Sequence, residues 1–140
     1  MELDATKVMT GSRDINLGLE GGYEKGVITL FYGPPASGKS NFVMVASCHQ
    51  AKKDKKIIFI DSEGSFSLDR IKQITGGIPE MVLKNIILLN PTNFNEQKKS
   101  FETLQKELKG SANIGMIVVD SMTMLYRLDA AEMRKKAWRM

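Results

Sequence analysis

The sequence predicts a three-layer α/β domain with a largely parallel sheet, and three observations carry that prediction. Apolar runs of strand length alternate with stretches of helical rhythm along the 140 residues, the order from which parallel crossover units are built. The runs at residues 27–32, 56–60, 85–90 and 114–121 are mostly unbroken rather than alternating, the pattern of strands covered on both faces. Between the first run and the helical stretch after it stands Gly33-Pro34-Pro35-Ala36-Ser37-Gly38-Lys39-Ser40, which fits G-x-x-x-x-G-K-[ST] at every position.

Composition sets the limits. An apolar content of 42% and a charged content of 26% are ordinary for a soluble globular domain, and the length suits one domain, 1–140. No stretch reaches transmembrane length, and Met1-Glu2-Leu3-Asp4 lacks the basic-then-apolar order of a signal peptide. The single Cys48 rules out an internal disulfide and agrees with a reducing cytoplasm. A net charge of +4 leans only mildly toward anionic partners.

Residues 1–10 carry no motif. A short, weak helix is expected at 14–19, then a Gly21-Gly22 break and a turn at 24–26 before the first strand, 27–32. That strand leads into the glycine-rich loop, and a helix at 41–51 leads out. In this setting backbone N–H groups point at phosphate oxygens and the helix dipole adds partial positive charge. Lys39 would reach the β- and γ-phosphates and the Ser40 hydroxyl would ligate Mg²⁺, so the chain is read as binding a nucleoside triphosphate.

The helix after the loop is apolar on nearly every face (Phe42, Val43, Met44, Val45, Ala46) and should lie deep against the sheet. Cys48 and His49 have no partner motif; they read as a small buried residue and a surface imidazole. Lys52, Lys53, Lys55 and Lys56 read as a solvated helix end. The second strand, 56–60, ends in Asp61-Ser62-Glu63-Gly64, acids at the carboxyl edge where open α/β sheets bind ligands. Glu63 has the chemistry to align a water against a γ-phosphate.

Leu68, Ile71 and Ile74 share a face of a short helix at 68–75, with Arg70 on its other side, and Gly76-Gly77-Ile78-Pro79 breaks the chain. A third strand, 85–90, closes at Pro91. Phe94, Gln97, Phe101, Leu104 and Leu108 then keep amphipathic rhythm, with Asn93 or Thr92 as N-cap and Gly110 as stop. The fourth strand is apolar until Asp120, the form of a Walker B strand whose carboxylate serves the magnesium shell or orients Ser40. At the end, Ala130, Met133, Ala137 and Met140 line one helix face, expected to pack on the domain with help from Trp138. Arg134, Lys135, Lys136 and Arg139 lie largely on the other face.

These motifs together resemble one family. Thr10-Gly11-Ser12, Gly21-Gly22 and Gly26-Val27-Ile28-Thr29 resemble the start of the RecA/RadA recombinase core. Phe59-Ile60-Asp61-Ser62-Glu63-Gly64-Ser65-Phe66 is similar to its D-[ST]-E-G-[ST]-F segment, and Ile117-Val118-Val119-Asp120-Ser121-Met122-Thr123 to its V-D-S-[LM]-T strand. The loop variant, with no helical DNA-binding domain ahead of it, is most similar to the archaeal RadB branch. The resemblance spans about residues 10–127. It implies a RecA-like phosphate-loop NTPase fold, with ATP and Mg²⁺ as cofactors and a role in DNA repair and homologous recombination. DNA, a main recombinase of the same superfamily and further copies of the chain are the implied partners.

Residue by residue, the resemblance makes Glu63 the glutamate that polarises the attacking water and Arg70 the arginine that stacks on adenine. Residues Gly33, Pro34, Pro35, Ala36, Ser37, Gly38, Lys39 and Ser40 form the phosphate loop, and Asp120 is the magnesium-side aspartate. It also places the Asp120 strand between the phosphate-loop strand and the Glu63 strand. The family core continues with a γ-phosphate-sensing glutamine and two DNA-contacting loops, which nothing after Arg127 resembles; the F-x-x-A linker is absent too. The sequence therefore resembles the N-terminal portion of such a core, or a truncated one, with weak or absent hydrolysis. A RecA-like scaffold or signalling ATPase acting on proteins is the alternative.

Overall fold

The computed structural model describes residues 6–110 and 113–138. In chain order its elements are β1 (Lys7–Val8), α1 (Arg13–Gly18), β2 (Tyr23–Glu24), α2 (Lys39–Ala51), β3 (Lys56–Asp61) and α3 (Leu68–Thr75). There follow α4 (Glu80–Leu83), β4 (Ile86–Leu89), α5 (Phe94–Gly110), β5 (Ile114–Asp120) and α6 (Met124–Ala137). The sheet is parallel and three-stranded in the order β4-β3-β5.

The unbroken run of β3 is explained by its central place: Ile57, Ile58, Phe59 and Ile60 are all fully buried. Ile57 and Phe59 face one layer with Met44, Cys48 and Ala51 of α2, Ile71 of α3 and Val82 of α4. Ile58 and Ile60 face the other, against Leu104 of α5. Helices therefore cover both faces, as the three-layer reading requires. Gly115 has no opposite residue, since Lys56 pairs Ile114 and Ile57 pairs Met116. Beyond that bulge the register runs without slip to Asp61 opposite Asp120, which sets two acids side by side at the carboxyl edge.

Local signals explain the helix ends. The Ser67 hydroxyl accepts from the Arg70 N–H at 3.4 Å to open α3. Gly76, left-handed at φ 69°, closes it. At the start of α5 both expected residues act: Asn93 Oδ1 accepts from the Glu96 N–H at 2.9 Å, and the Thr92 N–H and hydroxyl donate to the Glu96 carboxylate. Those bonds hold the Glu96 carboxyl below its usual range.

The expected strand at 27–32 does not form. The segment lies outside the sheet, with Ile28 98% and Tyr32 89% exposed. Within it Phe31 is anchored, edge-on to Tyr23 and stacked on Phe42. The reason lies in coverage. Ile117 of β5 pairs Ile58 and so shares the face that α5 covers, yet it is already 42% exposed. A strand one place farther out would leave that face barer still, so an apolar run gains little there. Ahead of this segment the chain instead forms a two-stranded antiparallel ribbon, β1 with β2.

Three further expectations are corrected. The face of α6 carrying Ala130, Met133 and Ala137 is not packed away: Met133 is 65% exposed, and within that helix Leu125 is the buried residue. Trp138 is exposed as well, because α6 meets the domain mainly along α5. Arg139 and Met140, assigned to that helix, lie outside the described residues. His49 is half-buried rather than at the surface, its Nε2 enclosed without a hydrogen-bond partner among the described residues. Burial and the nearby Lys53 and Lys52 charges push its pKa down.

Candidate nucleotide site

The glycine-rich loop turns directly into α2. Gly38 adopts φ 92° and Ala36 φ 61°, left-handed conformations that favour glycine at the helix start. The first N–H groups of a helix have no intrahelical acceptor, and those of α2 follow the loop without a spacer. Lys39 folds across the loop: its Nζ donates to Pro34 O at 2.9 Å and Gly33 O at 3.1 Å, with Ser37 Oγ at 3.5 Å. Neutral oxygens hold the ammonium, and the phosphate oxygens of an anion are stronger acceptors that can replace them.

Ser40 points the other way. Its hydroxyl donates to Asp120 Oδ2 at 2.6 Å, a contact between residues 80 positions apart. Since Asp120 ends β5, the hydrogen bond fixes the start of α2 against the carboxyl edge of the sheet. The same Oδ2 lies 2.7 Å from the Ser65 hydroxyl.

The loop after β3 is built on Asp61, which is 2% exposed. Its Oδ1 accepts the Glu63 N–H at 3.2 Å and the Ser65 N–H at 3.0 Å, and its Oδ2 accepts the Phe66 N–H at 2.8 Å. One carboxylate thus gathers the backbone of the segment that carries Glu63, in the manner of an Asx turn. The Glu63 side chain is exposed at this edge. Ser62 and Ser121 bond reciprocally, the Ser62 hydroxyl donating to Ser121 O at 2.8 Å and accepting the Ser121 N–H at 2.9 Å. From α5, the buried Gln97 amide donates to Met122 O at 3.1 Å and Ser121 O at 3.4 Å, and so supports the turn after Asp120.

Of the residues picked out by sequence, Ser40 and Asp120 meet at the sheet edge, with the Glu63 loop tied to Asp120 through Ser65, while the Lys39 ammonium lies back over the glycine-rich loop. Arg70 stands apart on α3, in a shallow groove of about 260 Å³ shared with Asn41, Val45, Gln73 and Ile74. The groove adjoins the first turn of α2 and so borders the loop. Sequence reasoning weighed Asp61 as the cap of a polar loop, which it is, and missed Ser65 and Gln97 as parts of the site. An aspartate ahead of a Ser/Gly turn, and a glutamine on the apolar stripe of an amphipathic helix, were the available signals.

Ser40 and Asp120 offer hard oxygen donors, which suit Mg²⁺ rather than a softer metal. Among the described residues no three His, Cys, Asp or Glu side chains gather closely enough to hold a metal by themselves. A cation at this edge would therefore share its ligands with hydroxyl and phosphate oxygens. None of the helices searched is long and apolar enough to cross a membrane.

A family model described as Rad51 matches residues 3–138. The DNA repair and recombination protein RadB of Methanobrevibacter smithii is 42% identical over 127 residues, 90% of this chain and 54% of that protein. The protein of the same description from Methanocaldococcus jannaschii is 44% identical over 119 residues, 84% and 54% of the two. A solved structure described as the RadB recombinase superposes with a TM-score of 0.72 at 34% identity, over 87% of this chain and 55% of that one. The chain spans about half the length of the curated relatives it matches.

Proposed function

This chain belongs to the Rad51 family, and from that premise we propose that it binds ATP with Mg²⁺ and serves DNA repair by homologous recombination, assisting a main recombinase on DNA. The supporting observation is the 2.6 Å hydrogen bond from Ser40 to Asp120, which joins the phosphate loop to the acid of the Walker B strand. The loop N–H groups and Lys39 bind the phosphates. Ser40 and Asp120 hold the cation, Glu63 orients the water, and Arg70 faces the adenine ring from the groove beside α2. Magnesium, when bound, neutralises phosphate charge.

Binding and turnover are separate matters. Displacement at the γ-phosphate needs further positive charge, often delivered by a neighbouring subunit, and the chain on its own therefore hydrolyses ATP slowly or undetectably. The test of the reading is a melting curve with and without Mg²⁺ and ATP. The untouched chain gains melting temperature with the nucleotide, and Lys39→Ala abolishes the gain. No gain in the untouched chain refutes the assignment. For the DNA role, filter binding to single-stranded DNA at two salt concentrations should show retention that weakens as salt rises. Negligible retention at both points to protein partners instead.

A further inference from the structure

The segment bearing Glu63 is held by two acids, and one hydroxyl stands between them. Ser65 Oγ lies 2.7 Å from Asp120 Oδ2 and 3.2 Å from Asp61 Oδ1. A serine hydroxyl has a single proton to donate, so it serves one carboxylate at a time, and the shorter distance gives it to Asp120. The remaining loop bonds do not involve the Asp120 side chain: the N–H groups of Glu63, Ser65 and Phe66 all go to Asp61. Asp120 Oδ2 meanwhile accepts from Ser40 as well. Ser65 is thus the side chain through which the Glu63 loop touches the residues proposed to hold the cation.

We propose that Ser65 is a positioning residue that reports the charge state of the Ser40–Asp120 corner to Glu63. The proposal rests on the reading of that corner as a magnesium–nucleotide site. Hydrogen bonds to a carboxylate owe much of their strength to its full negative charge. With that charge shared by a cation, Asp120 becomes the weaker acceptor, and the Ser65 proton turns to Asp61. The loop then loses its tie to the Asp120 carboxylate while keeping its backbone bonds to Asp61 and the Ser62–Ser121 pair. Glu63 is released toward the phosphates only when the corner is filled.

Amide hydrogen exchange on the full chain tests this, with a non-hydrolysable ATP analogue plus either Mg²⁺ or EDTA. In the untouched protein, residues 62–66 exchange roughly three- to tenfold faster with Mg²⁺ than with EDTA, the loss expected for one hydrogen bond. Ser65→Ala, compared at analogue concentrations that give equal protection of residues 33–40, has a loop that exchanges alike in both conditions. Ser65→Thr, which keeps the hydroxyl, restores the difference. A magnesium response in Ser65→Ala equal to that of the untouched chain overturns the proposal while leaving nucleotide binding intact. If the untouched chain does not protect residues 33–40 in any condition, the site assignment itself falls and takes the proposal with it.

Discussion

Replacing Asp61 by asparagine changes almost no volume and isolates the carboxylate's role in shaping the loop that carries Glu63. The carboxylate is 2% exposed and accepts from three backbone N–H groups, with the Ser65 hydroxyl also in range. An amide offers one acceptor end and one donor end. In its better orientation the oxygen keeps the Glu63 and Ser65 N–H groups, and the NH₂ faces the Phe66 N–H that now bonds at 2.8 Å. That forfeits one hydrogen bond to a charged acceptor, sets two donors against each other and weakens the bonds that remain. The sum is about 3 kcal/mol. For 140 residues the melting entropy is about 0.3 kcal/mol/K, so the melting temperature should fall by about 10 °C. Urea denaturation of Asp61→Asn gives the stability change, and amide exchange at Glu63, Ser65 and Phe66 locates it. A variant within about 0.5 kcal/mol of the parent, or one whose three amides exchange unchanged, refutes the claim that this carboxylate organises the loop.

Cys48 is buried and its thiol pKa is pushed up to about 11, so Ellman's reagent at pH 8 should label the native chain far more slowly than the urea-unfolded one. Rapid labelling of the folded protein contradicts the packing of α2. His49 titrates below its ordinary value when folded, so the unfolded chain binds more protons between the two pKa values. Stability contributed by neutral His49 is then complete above about pH 6.5 and falls as the pH drops toward the folded value; His49→Gln should flatten that slope in urea titrations from pH 7 to 5. A Cβ at Gly115 would stand 2.6 Å from Lys55 Cβ, so Gly115→Ala should cost about 1–3 kcal/mol by forcing the bulge apart. Leu104→Ala should lower stability by about 2–4 kcal/mol, since Leu104 is the α5 residue buried against Ile58 and Ile60.

The chemistry-bearing stretches were legible because each is local. A loop of fixed spacing, an apolar run ending in Asp120, a serine cap at Ser67 and a glycine stop at Gly76 depend on neighbours a few residues away. The pairing of Ser40 with Asp120 was also within reach, as the Walker B pattern names the acid and the loop names the hydroxyl. Asp61 and Ser65 were harder, because their roles rest on which atoms a four-residue turn brings under one carboxylate. Sequence places Asp61 at the strand end; only the folded loop turns its oxygens inward.

The sequence by itself determined the crossover order of β3, β4 and β5 with their helices, the glycine-rich loop at its helix start and the acids at strand ends, because backbone preference and residue spacing suffice for these. Tertiary structure alone decided which apolar runs found shelter. Residues 27–32 are as hydrophobic as β3, and the Met133 face of α6 is as regular as that of α5, yet both remain exposed. Burial needs a surface to bury against, and periodicity describes only the side that a segment offers.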